Sequence, residues 1–287
     1  MPPAAVWINA LIIASTIVLM SSGLVLVFSI MGILNWSHGQ MYMVGGFIVY
    51  YVAAKLGVNY FVALFAATVV VAGLGAVIEK WLLRPLSDRG FLPASVVGLG
   101  LIFVFEGAVT MLFGTGIKSV PTILEGSLHV GKVSLSVEKM ALAGLAIVVM
   151  LGLYLFICHT RIGLAIRAAA QEPEVAGLYG VSSGRLFSLV MAIGCGLAAL
   201  AGGMIAPVYF VDPWMGSKPL ITALLAIVLG GLGSFRGAVV GGIFLGFVMS
   251  VVAYYISSWY ELVAFLAVIL IILLRPQGLF GMSEARV

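Results

Sequence analysis

The sequence predicts an all-α polytopic integral membrane protein with eight to nine transmembrane helices, some of them short or broken, and a possible internal inverted repeat. Three observations lead to this fold class. Only 8% of the 287 residues are charged, against roughly 25% in a soluble domain. Hydrophobic residues make up 63% of the chain, and its mean hydropathy is +1.25. No residue from Met1 to Ala54 carries a formal side-chain charge. So little charge cannot coat a water-exposed surface, which excludes a soluble cytosolic enzyme, a disordered chain and a nucleic-acid binder. The net charge of +4 then reports cytoplasmic loops rather than nucleic acid.

A bilayer core about 30 Å thick takes roughly 20 apolar residues in a helix. Trp7 to Ile30 is the first such run, and no Lys or Arg precedes it. It therefore does not read as a cleaved signal peptide and is expected to stay. Asn35-Trp36-Ser37-His38-Gly39 separates it from a short second run, Met41 to Ala54. Tyr60 to Ile78 and Pro93 to Phe113 follow, then Met140 to Cys158 and Leu186 to Phe210. Pro219 to Gly233 is short, and Ala238 to Ile256 and Tyr260 to Leu274 complete nine candidates. The second and seventh need help from flanking residues to span. The whole of 1–287 is one transmembrane domain.

Orientation follows from the Lys/Arg bias of short loops. With the Lys80–Arg89 and Arg161–Arg185 stretches inside, Lys80, Arg84, Arg89, Arg161, Arg167, Arg185, Arg236, Arg275 and Arg286 are cytoplasmic. Lys55, Lys118, Lys132, Lys139 and Lys218 lie outside. Every arginine falls on one side. In the outer loop 114–138, Leu128 to Val137 is rich in β-branched residues with partial alternation, as in a small surface hairpin. That hairpin is either a docking surface for an extracytoplasmic partner or a tidy loop cap.

Two motif matches fail in context. Gly126 to Lys132 has the spacing of a P-loop, but Val133 stands where a Ser or Thr should hold magnesium. Gly180-Val181-Ser182-Ser183-Gly184 fits a nucleophile elbow, yet His38, His129 and His159 all precede it and the flanks read as helix. No catalytic residue and no metal site is expected; Cys158 and Cys195 offer neither a disulfide framework nor a zinc spacing.

The cytoplasmic segment 159–185 is the longest polar interruption on the inner side. Leu164 to Glu172 is expected to be helical, and Pro173 suits the first turn of a second helix. Glu174 complements that helix's dipole, and Gly180 can close it. Val175, Leu178 and Tyr179 share one face, which either packs on the chain's own helix ends or docks into a partner. The Asn35–Gly39 break is either an interfacial turn anchored by Trp36 or a broken helix lining a pathway at membrane depth. A second polar, glycine-rich break at Gly230–Gly237 hints at the inverted repeat. Glu106 sits mid-run, where a carboxylate costs about 3 kcal/mol and so faces protein or water. It is read as protonated, paired across a subunit interface, or pathway-lining. Glycines at 233, 237 and 241, and at 242 and 246, let helices approach closely, within the chain or against a partner subunit.

Five stretches, in order, carry a resemblance. Gly32-Ile33-Leu34-Asn35-Trp36-Ser37-His38-Gly39-Gln40 is the first, and Glu79-Lys80-Trp81-Leu82-Leu83-Arg84-Pro85-Leu86 the second. Arg161-Ile162-Gly163-Leu164-Ala165-Ile166-Arg167 continuing through Gln171-Glu172-Pro173-Glu174-Val175-Ala176-Gly177-Leu178-Tyr179-Gly180-Val181 is the third. Leu229 to Gly237 and Arg275-Pro276-Gln277-Gly278-Leu279 complete them. Together they resemble the branched-chain amino acid ABC transporter permease family, in its shorter, LivH-type subunit. The resemblance implies a permease subunit of an ATP-driven importer for branched-chain or related small amino acids or amides, in a bacterial inner membrane. It implies a second homologous permease subunit, two cytoplasmic ATPase subunits that hold the ATP and magnesium, and a periplasmic substrate-binding protein. The chain itself would bind no cofactor and have no ATPase site. Arg161, Gly163, Arg167, Gln171, Glu172, Pro173, Glu174, Ala176, Gly177, Leu178 and Gly180 would couple to the ATPases. Asn35, Trp36, Ser37, His38, Gly39 and Glu106 would belong to the translocation pathway. The alternative from the residues is a proton-coupled secondary transporter of a small polar solute using Glu106.

Overall fold

In hydrocarbon every backbone N–H and C=O must be satisfied within the protein, and a continuous helix does this locally. The computed structural model describes residues 4–87, 90–124, 126–130 and 133–280, and its apolar runs are mostly helical. The first helices are α1 (Ala4–Met31), α2 (His38–Val49) with a π-helical continuation over Tyr50–Lys55, and α3 (Tyr60–Ile78). A π-helical turn (Glu79–Leu83) joins α3 to α4 (Arg84–Ser87), and α5 is Phe91–Phe113. After a hairpin of β1 (Ser127–Val130) and β2 (Val133–Ser136) come α6 (Val137–His159), α7 (Arg161–Gln171) and α8 (Pro173–Leu178). The chain continues as α9 (Ser183–Ile205), α10 (Ser217–Gly230), α11 (Phe235–Tyr255) and α12 (Tyr260–Leu274).

Among the described residues, six helices are long and apolar enough to cross a bilayer, while α10 and α12 are shorter apolar helices. The last run thus joins the second and seventh as a short one, at 15 residues. The stretch after the third run is less of a loop than its charges suggest, because the π turn carries the helix on to Ser87. Asp88 and Arg89 lie outside the described residues. The hairpin pairs Ser127 with Ser136 and Val130 with Val133, antiparallel, as its alternation predicts.

Small residues set the centre of the bundle. A Cβ added at Gly23 of α1 would come within 2.7 Å of Gly194 O in α9, so these two helices meet backbone to backbone. Gly202 comes closer still to Tyr42 O in α2, and so does Gly45 to Ala199. On its other side α1 runs antiparallel to α11. Ser250 Oγ donates to Val6 O (2.7 Å) near one end, and Ser29 Oγ donates to Gly233 O (3.0 Å) at the other. Between them Gly246 packs on Ala14 and Gly242 on Val18, while Gly237 and Gly241 pack on Gly230 and Ala226 of α10. The glycine repeats of α11 therefore serve contacts within the chain.

These antiparallel pairings sort the charges by end. Arg84 donates to Gly184 O beside Arg185, Leu279 N donates to Leu229 O near Arg236 and Arg275, and α7 with Arg161 and Arg167 packs at the same end. At the other end, Lys118 and Val211 exchange backbone hydrogen bonds of 2.9 Å, and Glu138 accepts from Ile123 N at 2.9 Å. Lys55, Lys139 and Lys218 belong to that lysine end. Arg286 and Lys132 lie outside the described residues.

Candidate translocation and coupling sites

Between α1 and α2 the chain leaves the helical path at Gly32, whose φ of +63° suits a residue without Cβ. Asn35 then satisfies the freed backbone. Its Oδ1 accepts from Ser37 N (3.2 Å) and Ser37 Oγ (2.8 Å), and its Nδ2 reaches Met191 Sδ at 3.8 Å. Asn35, Ser37, His38 and Gly39 are all buried; Trp36 is half-buried, with its backbone against Gly98 of α5. His38 lies level with Gly23 and Gly194, and Gly194 is the midpoint of α9. The break is therefore level with the middle of α9. Among the described residues the ring nitrogens of His38 have no well-formed hydrogen bond, although the Met20 backbone lies beside the ring.

A different stretch from the glycine-rich Gly230–Gly237 meets the start of α2. After α9 the chain runs through 206–216 without continuous helix, and α10 starts against the start of α2. Gly39 and Gly216 touch backbone to backbone, so that a Cβ on either would collide with the other's carbonyl. Two short helices thus begin at one point and run in opposite directions. Gly230–Gly237, by contrast, is a turn at the arginine end, with Gly231 at φ +103° and Ser234 capping α11 by accepting from Gly237 N at 3.0 Å.

Glu106 lies on α5, the span with the smallest buried share, 17%. One oxygen accepts from Gln40 Nε2 at 3.1 Å, and the residue is only half-buried. Gln40 stood in the quoted motif without a role of its own. On α5 the neighbouring Gly100 and Gly107 face open space, and Phe103, Val104 and Met111 are exposed. A carboxylate on such a face, well inside an apolar helix, needs water or another protein beside it.

The segment 159–185 forms two helices, α7 and α8, before α9 begins. Thr160 caps α7 by accepting from Gly163 N at 2.9 Å, which starts that helix three residues earlier than its pattern predicts. Gly163 is pressed against the carbonyls of Phe156 and Ile157, so this corner admits no side chain. Arg167 Nη2 donates to Cys158 O at 3.3 Å. Pro173 opens α8, Glu172 is its N-cap, and Gly180 at φ +85° ends it. Ala176 is buried against the bundle; Val175, Leu178 and Tyr179 are exposed, the last two at 87% each. Arg161, Gln171, Glu172, Pro173 and Gly177 are exposed as well, and Glu174 sits in the first turn of α8. The apolar face of α8 is thus uncovered rather than packed on the chain's own helix ends.

Where the chain enters α9, shortly after α8, it meets a clasp. Glu79, fully buried, takes two hydrogen bonds from Arg84, at 2.9 and 2.7 Å. Arg84 also donates to Gly184 O and to Ser188 Oγ (2.7 Å), and Ser188 Oγ donates to Glu79 Oε2. The end of α3 is thereby tied to the first turn of α9, four residues after α8. Five-residue spacing would separate the two charges on an α-helix, but the π turn between them widens the coil and places them on one face. The spacing was visible in the sequence; the π turn that gives it meaning was not.

Ser182 precedes α9 with a helix, not a strand, behind it, and Gly131 and Lys132 lie outside the described residues. No group of three His, Cys, Asp or Glu positioned to hold a metal occurs among the described residues.

Comparison with known proteins places this architecture. Residues 6–273 match the family model described as "Branched-chain amino acid transport system / permease component". The chain is 32% identical to the high-affinity branched-chain amino acid transport system permease protein BraD of Pseudomonas aeruginosa, covering 96% of this chain and 95% of BraD. It is 30% identical to the permease protein LivH of Escherichia coli, covering 96% and 94%. In fold it resembles PsaBC of Streptococcus pneumoniae, solved in complex with a Fab, with a TM-score of 0.51 at 16% identity over 94% of this chain and 91% of that one. A helical bundle with six helices able to span a bilayer, matched over nearly its whole length, belongs to the branched-chain amino acid transport permease family.

Proposed function

We propose that this chain is one permease subunit of an ATP-driven importer of branched-chain or related small amino acids, in the inner membrane of a bacterium. It crosses the bilayer nine times, with α2, α10 and α12 as the short crossings and α2 and α10 starting at depth as inverted counterparts. It pairs with a second homologous permease and works with two cytoplasmic ATPases, which hold ATP and magnesium, and with a periplasmic binding protein. The observation that carries this reading is the uncovered apolar face of α8 backed by the Glu79–Arg84–Ser188 clasp. A partner seated on Val175, Leu178 and Tyr179 pulls on the first turn of α9, and the clasp passes that displacement to α3. Arg161, Arg167, Gln171 and Glu172 frame the same surface with polar and charged groups.

The pathway runs along the Gln40–Glu106 face of α2 and α5, against the second permease. Asn35, Ser37, His38 and Gly39 hold the broken start of α2 behind that face. Nothing in the comparisons favours a proton-coupled route through Glu106. Reconstitution of the chain with its partner subunits in proteoliposomes tests the reading. Leucine uptake should follow ATP loading of the compartment that holds the ATPases and should survive an uncoupler. Uptake driven by a proton gradient without ATP would sink it.

A further inference from the structure

A recess of about 500 Å³ opens on the lysine side between α1, α10, α11 and α12. Pockets that hold small molecules usually measure about 300–1,000 Å³ and are mostly apolar with a few convergent polar groups. This one is lined by Ile13, Ile17 and Met20 of α1, Ile221 of α10 and Phe265 of α12. Polar groups converge on it from three helices. Lys218 Nζ donates to Glu261 Oε1 at 2.8 Å, and the Tyr260 hydroxyl donates to the same oxygen at 2.9 Å. The remaining group is Tyr42 of α2. That residue is 4% exposed and lines the recess, and its hydroxyl makes no hydrogen bond to a described residue. An orphan hydroxyl on so buried a residue calls for a partner, and the recess is where one can sit.

These groups gather at the junction of two short helices. α10 begins where Gly216 meets Gly39 at the start of α2, so Lys218 and Tyr42 lie two and three residues past that contact. A charged pair beside interrupted helices is the arrangement in which transporters hold polar cargo. The dipole of α10 is also uncompensated, because no side chain caps its first turn and no acidic residue stands in it. An anion at that end is favoured. Nor does the ion pair exhaust its own hydrogen bonds. An ammonium has three N–H groups, and the bond to Glu261 uses one. Glu261 Oε1 takes both bonds, while Oε2 takes none from a described residue. The Lys218 side chain is 78% exposed and that of Glu261 41%, so a ligand can reach both.

We propose that this recess binds a free α-amino acid with an apolar side chain. The ligand carboxylate lies against the Lys218 ammonium and the start of α10, and the ligand ammonium donates to Glu261 Oε2. The Tyr42 hydroxyl supplies a further hydrogen bond, and the side chain fills the space between α1, Ile221 and Phe265. A ligand with both charges on one carbon matches a cation and an anion a single hydrogen bond apart. Lys218 and Glu261 are the only charged residues among the described ones lining the recess, so a third charge on the ligand meets no partner. The site goes beyond the pathway along Gln40 and Glu106. Gln40 and Tyr42 are about 200° apart around α2 at 3.6 residues per turn, which puts the recess on the other side of that helix.

The test uses the full chain purified with its partner subunits in nanodiscs, without ATP, and measures dissociation constants by titration calorimetry. Leucine should bind about tenfold tighter than leucinamide, which lacks the carboxylate, or 4-methylpentanoate, which lacks the amine. Lys218→Met should weaken leucine to the level of leucinamide, and Glu261→Gln should weaken it to the level of 4-methylpentanoate. A misfolded variant would lose all three compounds alike, so these selective losses report the site. Tyr42→Phe removes only the hydroxyl and should weaken leucine severalfold, while Ile221→Trp fills the recess and should abolish binding. Equal affinity for the three compounds, or affinities that none of these variants moves, overturns the proposal. So does a lipid or a partner subunit seated in the recess that leucine does not displace. ATP-driven uptake without leucine binding in the recess defeats this site alone. Leucine binding there with uptake indifferent to ATP defeats only the transport reading.

Discussion

α1 and α5 are both long, apolar helices, with hydropathies of 2.5 and 2.2 over their most apolar windows, yet 72% of the first window and 17% of the second are buried. Hydropathy does not separate them, because lipid and protein interior are equally apolar to a leucine. What separates them is where their small residues find partners. Gly23 of α1 meets Gly194 across a backbone contact, while Gly100 and Gly107 of α5 meet nothing. In lipid, close backbone approach and hydrogen bonds drive helices together, since no hydrophobic force does so. A glycine against a carbonyl marks a finished contact, and an open glycine beside a half-buried Glu106 marks a surface awaiting one.

Substitutions at matched positions can break this contrast. Gly202→Leu should be the most damaging, because its Cβ would strike Tyr42 O in the α2–α9 contact. Overpacking of this kind costs about 1–3 kcal/mol or more, and fluorescence-detected size exclusion should show the folded peak largely lost. A folded yield near wild type would mean that α2 and α9 can part without penalty. Next, Arg84→Met strands the buried Glu79. Since Arg84 is about a third exposed, we expect about 2 kcal/mol rather than the larger loss of a fully buried pair. Ser188→Ala keeps the ion pair and should leave folding nearly intact while transport per ATP hydrolysed falls severalfold; an unchanged ratio would remove the clasp from the coupling path.

On the open face the order reverses, with function lost before stability. Gly107→Leu should change the chain's own stability by no more than about 0.5 kcal/mol and should weaken co-purification with the second permease. Undiminished pairing would place that subunit elsewhere. Glu106→Gln should be the mildest for folding, because an amide oxygen can still accept from Gln40. Uptake should nonetheless slow with assembly intact, and equal loss of both would make Glu106 a purely structural residue. On α8, Leu178→Glu should leave the thermal midpoint in place and abolish ATP-driven uptake, since that side chain touches little of its own chain.

Much of the fold was legible. The apolar runs fell on the helices, Pro173 and Gly180 bracketed α8, and the described arginines gathered at one end. The candidate sites were legible in part. Glu106 and the Asn35–Gly39 break were found because charge and turn residues are rare in an apolar chain. Gln40 escaped notice because an amide two residues past a turn has no periodic signature. The clasp escaped because five-residue spacing means nothing until a π turn is known to lie between. The interruption from Asp212 and Pro213 to Lys218 and Pro219 marked where the second short helix starts, but only the backbone contact of Gly216 with Gly39 showed that it starts beside α2.

By itself the sequence determined what local chemistry decides: that the chain lives in a bilayer, roughly where it bends, which end carries the arginines, and which family pattern it follows. Only the tertiary structure decided which apolar faces are finished and which are open, where two short helices meet, and that a buried carboxylate is held by an arginine five residues away. Those outcomes depend on which backbones come within a few ångströms of each other. In a medium as apolar as the side chains themselves, no pattern of hydrophobicity along one strand of sequence records that.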